Sequence, residues 1–254
     1  MKEGYQIVYQ RPKTLLSKRM HYCPGCFHAT THKFLMEVIE EMGIQEKVIG
    51  VSPVGCSVFA YDYMDIDMEQ AAHGRAPAVA TGIKRTLPNQ LVFSYQGDGD
   101  LAAIGTAETI HACNRGEKIS IIFINNGIYG MTGGQMAPTT LEGQKTTTCP
   151  FGRDPNKVGW PLRMAEMVAQ LPGVIYSERV SCNTPANARK AKRAIRRSFE
   201  LQQLNLGTTF VEIASNCPSG WKMTPRASLD WVNQHVLPYY PLGVFKEPPK
   251  QEAK

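Results

Sequence analysis

The chain has 254 residues, 43% of them hydrophobic and 20% charged, with a formal net charge of +6. That composition supports one sizeable core and excludes disorder, collagen, coiled coil and a disulfide miniprotein. The longest apolar runs, such as residues 119–124, fall far short of the roughly 18–20 residues of a membrane span, residues 1–20 lack the apolar segment of a secretory signal, and the mild basic excess has no aromatic-rich patch to pair it with nucleic acid.

In chain order, Phe34, Leu35, Val38 and Ile39 at helical spacing predict a helix over 30–42. Short runs rich in β-branched residues predict buried parallel strands over 47–52, 91–96, 119–124, 174–180 and 208–214. A helix over 71–87 stops before Pro88, one over 101–114 stops at Gly116, and one over 162–170 stops before Pro172. A helix over 184–204 opens with a capping Thr184 and with Pro185 at its first position. Residues 125–160 are rich in Gly, Thr and Pro, and so long a loop is usually functional. The tail after Pro238 reads as an extended arm, about 239–254, that packs on a neighbouring subunit or runs over the surface. The alternation of strand and helix gives an α/β fold, a mostly parallel sheet with helices on both faces, in a single domain over 1–254.

Gly97-Asp98-Gly99-Asp100 follows a strand and opens a helix. Free backbone N–H groups at such a turn favour an anion, and the missing Cβ atoms let a phosphate approach. The spacing Gly97-x-Gly99-x-x-Ala102 mimics the dinucleotide fingerprint. However, Asp98 would repel a bare pyrophosphate, and Asn125-Asn126 stand where the ribose-binding acid belongs. A carboxylate beside a diphosphate makes sense with a divalent cation between them, and Mg²⁺ takes oxygen ligands. Asp98 and Asn126 each lie just past a strand. If those strands are neighbours, both side chains reach the carboxyl edge, where open α/β sheets bind ligands. Taken singly, the same residues also read as an ordinary turn and a strand terminator.

Seven cysteines, an odd number with no export signal, argue against a disulfide framework and for metal or redox chemistry. Cys23-Pro24-Gly25-Cys26 is a redox dithiol, half a zinc site or half an iron–sulfur site. Cys56 and Cys217 each follow a strand, so a parallel sheet places both on the edge that carries Asp98. Four converging thiolates fit zinc or a [4Fe–4S] cluster, and spacing does not separate them. Cys113, Cys149 and Cys182 read as small buried hydrophobes. The basic residues Arg189, Lys190, Lys192, Arg193, Arg196 and Arg197 lie on a helix whose inner stripe is Ala188, Ala191, Ile195 and Phe199. They read first as a solvated face and second as a dock for an acidic ferredoxin.

The Gly97-Asp98-Gly99 and Asn125-Asn126 pair resembles the thiamine diphosphate motif. With Tyr129-Gly130-Met131-Thr132-Gly133-Gly134-Gln135, Pro138-Thr139-Thr140 and the cysteine pattern, the chain resembles the β subunit of the 2-oxoacid:ferredoxin oxidoreductases. The likeness runs from Cys23 to Gly243. It implies that Asp98, the Asn126 side chain and the Ile128 carbonyl bind Mg²⁺. Gly97, Gly99 and Thr132 would contact the diphosphate, His73 would approach it, and Gly55, Cys56, Asp100, Gly130 and Met131 would complete the cofactor site. Cys23, Cys26, Cys56 and Cys217 would hold a [4Fe–4S] cluster.

The resemblance further implies a cytoplasmic enzyme that oxidatively decarboxylates a 2-oxo acid. Coenzyme A takes the acyl group, and electrons pass through the cluster to ferredoxin. No carboxylate here stands out as the glutamate that activates thiamine, so it is expected from an α subunit, with γ and ferredoxin-like δ subunits as further partners. Some 2-oxoglutarate-type members place a lysine where this chain has Gly133. With the segment 146–154, that makes the chain resemble the 2-oxoisovalerate members. Arg153 or Lys145 binding a second carboxylate would favour 2-oxoglutarate instead. Readings of another class are a nicotinamide-binding domain, which lacks its ribose acid here, and a zinc-stapled interaction subunit.

Overall fold

The computed structural model describes residues 6–248. In chain order the main elements are helix α1 (Phe27–Met42), strands β1 (Val48–Ser52) and β2 (Asp67–Gln70), helix α2 (Ala76–Thr86), strand β3 (Leu91–Gly97), helix α3 (Thr106–Arg115) and strand β4 (Ser120–Asn125). There follow a small hairpin of β5 (Ile128–Tyr129) and β6 (Gln135–Met136), helices α4 (Pro155–Val158) and α5 (Met164–Ala169), strand β7 (Val174–Ser181), helix α6 (Pro185–Gln203), strand β8 (Thr208–Ala214), helix α7 (Pro225–Trp231) and strand β9 (Gly243–Lys246).

Seven strands form one sheet in the order β2-β1-β3-β4-β8-β7-β9, parallel except for β9. The four strands β1, β3, β4 and β8 are buried almost throughout, which explains their continuous apolar runs. One core lies between the sheet and α1 and α6, around Leu35, Ile39, Phe93, Ile122, Phe199 and Val211. The other lies on the opposite face, around Val92, Leu101, Ile121, Phe123, Val168 and Phe210. Thr184 caps α6 by accepting from the Asn187 amide at 3.2 Å. No described helix is long and apolar enough to cross a membrane.

Three differences from the sequence reading bear on the site. The turn after β3 is not a regular helix start: Gly99–Ile104 form a wide turn closed by the Gly105 amide on the Asp100 carbonyl (2.8 Å), and α3 begins only at Thr106. The polar edge strand β2 lacks the apolar run that marks its neighbours. The tail does not leave the body: Tyr240 is buried, and β9 pairs antiparallel with β7. The part of the expected arm beyond Pro248 lies outside the described residues.

Candidate active site at the carboxyl edge

Strands β3 and β4 are direct neighbours, with Gly97 opposite Ile124, so Asp98 and Asn126 emerge side by side. Both are buried. The Ile128 amide donates to Asp98 Oδ2 (3.2 Å) and lies 3.3 Å from Asn126 Oδ1, which brings the two oxygen donors to one point. Asp98 also accepts from the Gly99 amide (2.9 Å) and the Thr139 hydroxyl (2.7 Å). No lysine or arginine pairs with it among the described residues. Burial therefore pushes its carboxyl up to about 6 despite these hydrogen bonds. A buried carboxylate without a cationic partner, beside an amide oxygen, is a donor set that fits Mg²⁺.

Asp98 and Asn126 open into a cavity of about 110 Å³ lined also by Gly55, Cys56, His73, Gly97, Gly99, Asp100, Ile128, Gly130, Met131 and Thr132. Every residue expected at the cofactor thus meets there. The Asp100 carboxylate is engaged by its neighbours: its Oδ1 lies 2.6 Å from His73 Nδ1 and accepts from the Gly74 amide (2.8 Å), and its Oδ2 accepts from Gln96 (2.6 Å). It orients His73 and braces the turn. The Thr132 hydroxyl donates to Gln135 Oε1 (2.6 Å) at the cavity's exposed rim. Gly99 has a steric reason as well, since a Cβ there would stand 2.4 Å from the Tyr129 ring.

A second cavity of about 190 Å³ shares His28, Cys56, Asn126, Gly130 and Met131 with the first and is lined by Cys23, Cys26, Cys56 and Cys217. Cys23 and Cys26 sit in the turn before α1, Cys56 lies beyond β1, and Cys217 lies beyond β8. Gly25 takes φ +78° in that turn and packs so close to Pro225 that a Cβ would meet it at 2.6 Å. At Gly130 a Cβ would touch the Cys217 and Cys56 sulfurs at 3.2 and 3.3 Å. All seven cysteines are unpaired. Burial pushes the Cys26 and Cys56 thiols up to about 12 and Cys217 to about 11, with neighbouring sulfurs adding to the rise at each. Among the described residues no three His, Cys, Asp or Glu side chains close around a single metal ion.

Sequence reasoning missed several residues that hold this edge. Asn216 ties the two cysteine loops together: its side chain accepts from the Phe27 amide (3.2 Å) and donates to the Gly25 carbonyl (3.0 Å). His28 borders both cavities, stacked on Tyr22 and anchored through Nδ1 to the Tyr95 hydroxyl at 2.9 Å. Burial lowers His28 and His32 to about 3, so both rings are neutral. Cys26-x-His28 and Pro138-Thr139 were visible in the chain, but their partners lie 67 and 41 residues away.

Other expectations are corrected. The Arg153 guanidinium is buried and donates to the carbonyls of Ala137, Pro138, Thr140, Gly159 and Trp160 at 2.8–3.1 Å. It staples the long loop and has no free donor face for a substrate. Lys145 lies in a separate cleft with Thr147, Trp221 and Lys222. On α6, Lys192 pairs with Glu37 (2.8 Å) and Glu41 (2.6 Å), and Arg196 pairs with Glu41 (2.5 Å), so part of the basic face fastens α6 to α1. Two larger clefts of about 480 and 500 Å³ hold none of the glycine-turn residues and none of the cysteines.

This geometry has counterparts. Residues 53–213 match the family described as thiamine pyrophosphate enzyme, C-terminal TPP binding domain, which defines the class. Ketoisovalerate oxidoreductase subunit VorA of Methanothermobacter marburgensis is 48% identical over 240 residues, 94% of this chain and 50% of that relative. The 2-oxoglutarate synthase subunit KorB of Methanocaldococcus jannaschii is 39% identical over 199 residues, 78% of this chain and 69% of that one. A solved 2-oxoglutarate:ferredoxin oxidoreductase from Magnetococcus marinus, with 2-oxoglutarate, coenzyme A and succinyl-CoA bound, shares the fold. Its TM-score is 0.76 at 23% identity, over 96% of this chain and 87% of that chain. The chain belongs to the thiamine diphosphate-binding subunits of the 2-oxoacid:ferredoxin oxidoreductases. It spans about half the length of the ketoisovalerate relatives it matches.

Proposed function

We propose that this chain is the β subunit of a cytoplasmic enzyme that oxidatively decarboxylates a 2-oxo acid to its acyl-CoA and passes the electrons to ferredoxin. In this reading Asp98, Asn126 and the Ile128 backbone hold Mg²⁺, and Gly97, Gly99, Thr132 and His73 receive the diphosphate. Cys23, Cys26, Cys56 and Cys217 hold a [4Fe–4S] cluster. When bound, thiamine diphosphate supplies the carbanion that adds to the 2-oxo carbon and takes up the electrons left as carbon dioxide departs, and the cluster supplies the acceptor. The residues of this chain bind, orient and exclude water. Asp98 and Asn126 fix the cation on neighbouring strands. His73, held by Asp100, offers its other ring nitrogen to the cavity. The cysteine loops bring the four residues to one cavity, with Cys217 buried at its base and Cys23 exposed at its rim.

The observation that carries the reading is the shared wall of the two cavities, with His28, Cys56, Asn126, Gly130 and Met131 lining both. Electrons released on one side have a short path to the other. The activating glutamate comes from an α subunit, with γ and ferredoxin-like δ subunits completing the complex. The favoured substrate is 2-oxoisovalerate, because Gly133 leaves no lysine at the hairpin and Arg153 is fully engaged with backbone carbonyls. The test is CoA-dependent ferredoxin reduction by the chain with its partner subunits, with 2-oxoisovalerate or 2-oxoglutarate as substrate. Faster turnover of the branched acid is expected, and the chain alone should be inactive. Preference for 2-oxoglutarate would overturn the substrate, and activity of the isolated chain would overturn the shared site.

A further inference from the structure

Asp98 is held by more than its own turn. Its Oδ2 accepts from Thr139 Oγ1 at 2.7 Å, and Thr139 is wholly buried. The Thr139 carbonyl in turn accepts from Tyr240 Oη at 2.7 Å, and the same hydroxyl lies 3.2 Å from the Leu162 carbonyl. Tyr240 belongs to the C-terminal tail and is 1% exposed. The neighbouring Asn125-Asn126 pair is braced from β8 and the loop that follows it. Trp221 Nε1 donates to the Asn126 carbonyl (3.1 Å), and Asn125 Nδ2 donates to Glu212 Oε1 (2.7 Å). Glu212 is paired with the buried Arg179 (2.9 Å), whose guanidinium sits over the rings of Tyr240 and Phe245, 5.0 Å from each. Tyr240, in the segment before the last strand, thus reaches Asp98 through two hydrogen bonds, and Trp221, in the loop after β8, reaches the Asn126 backbone through one.

We propose that Thr139 and Tyr240 are positioning residues for the divalent cation: the Thr139 hydroxyl orients the Asp98 carboxylate, and the Tyr240 hydroxyl, from the C-terminal tail, fixes Thr139. The inference rests on Asp98 and Asn126 being the Mg²⁺ donors. Mg²⁺ demands near-ideal octahedral geometry, so a carboxylate free to rotate binds it less well than one held in place. A hydroxyl that hydrogen-bonds a ligating carboxylate is the outer-shell partner whose loss costs about 10–100-fold in metal affinity. Among the described residues Asp98 has no charged partner, which leaves its orientation to these neutral donors. The tail, whose sequence shows no chemistry of its own, thereby becomes part of the cation site.

The experiment uses the complex purified with its accompanying subunits. Mn²⁺ stands in for Mg²⁺ in the presence of thiamine diphosphate, with free and bound ion read by electron paramagnetic resonance. Thr139→Val is expected to weaken Mn²⁺ binding about 10–100-fold and to broaden the bound-ion spectrum. Thr139→Ser, which keeps the hydroxyl, is expected to restore both. Tyr240→Phe is expected to shift affinity the same way by a smaller factor. A folded Thr139→Val protein with wild-type affinity and spectrum would overturn the inference. If that variant does not fold, Tyr240→Phe decides, and wild-type binding there would overturn it equally. Failure of the wild-type complex to bind Mn²⁺ with thiamine diphosphate would instead sink the assignment of Asp98 and Asn126 as cation ligands.

Discussion

The two cavities on the carboxyl edge are built by opposite means. Around Asp98 the protein supplies hydrogen bonds: Thr139, Ile128 and Gly99 all donate to one carboxylate, and Asp100 is satisfied just as fully by His73, Gly74 and Gln96. Around the cysteines it supplies burial and empty space. The cavity the sulfurs line is bordered by Gly130 and the His21, Tyr22 and His28 rings, and burial raises the Cys26 and Cys56 thiols. The first site is preorganised for a charge that the ligand brings. At the second, burial raises the Cys26, Cys56 and Cys217 thiols, so their protons leave only against a compensating positive charge.

The largest expected effect is on the second site. Cys56→Ser or Cys217→Ser should abolish iron retention, while Cys113→Ser should leave it intact, because Cys113 is buried in the core on α3. Iron analysis after anaerobic purification reads this. Iron retained by Cys217→Ser would remove that residue from the ligand set. Next, Asp98→Asn should lower cation-dependent binding of thiamine diphosphate by more than about 100-fold, while iron content stays at the wild-type level. Calorimetric titration checks the first half. Joint loss of iron and thiamine diphosphate would show that the two sites are not separate.

A third effect concerns the support behind the polar site. Arg179→Leu leaves Glu212 buried without its cation and should destabilise the fold by about 3–5 kcal/mol, measured by urea unfolding. A loss below about 1 kcal/mol would place the pair among weak surface bridges and contradict its burial.

A fourth, on the thiol side, depends on pH. Burial, with His28 and His21 adding to it, lowers His32 from 6.5 to about 3, so folding is favoured by the neutral ring. That stability is present above pH 6.5 and is lost progressively as pH falls toward 3. Because His32 Nε2 has no hydrogen-bond partner, His32→Phe should flatten the acid limb of the stability profile without a large loss at neutral pH. An unchanged acid limb would assign it to other groups. The smallest effect is Phe151→Ala: the side chain is 96% exposed, so the melting temperature of the isolated chain should be unchanged to within about 0.5 kcal/mol of stability.

The sequence made the five long strands visible, because buried parallel strands are continuous apolar runs. It also placed Asp98 and Asn126 together, since both follow neighbouring parallel strands joined by one helix. It did not show β2, whose Asp67-Met68-Glu69-Gln70 is an exposed edge, or β9, whose pairing depends on a tail folding back over Arg179. Thr139, Asn216 and Tyr240 were illegible as site residues for one reason: each acts through a hydrogen bond spanning 41 to 191 residues, and no local pattern encodes that. Arg153 misled in the other direction. A basic residue in a functional loop reads as a ligand hand, yet its donors are spent on the loop's own carbonyls.

The account turns on what the four cysteines hold. Iron and acid-labile sulfide measured on the anaerobically purified protein, with its absorption spectrum, test this most directly. We predict about four irons and four sulfides per chain and a broad band near about 400 nm. Stoichiometric zinc, or intact protein with neither metal after anaerobic reconstitution with iron and sulfide, would contradict it.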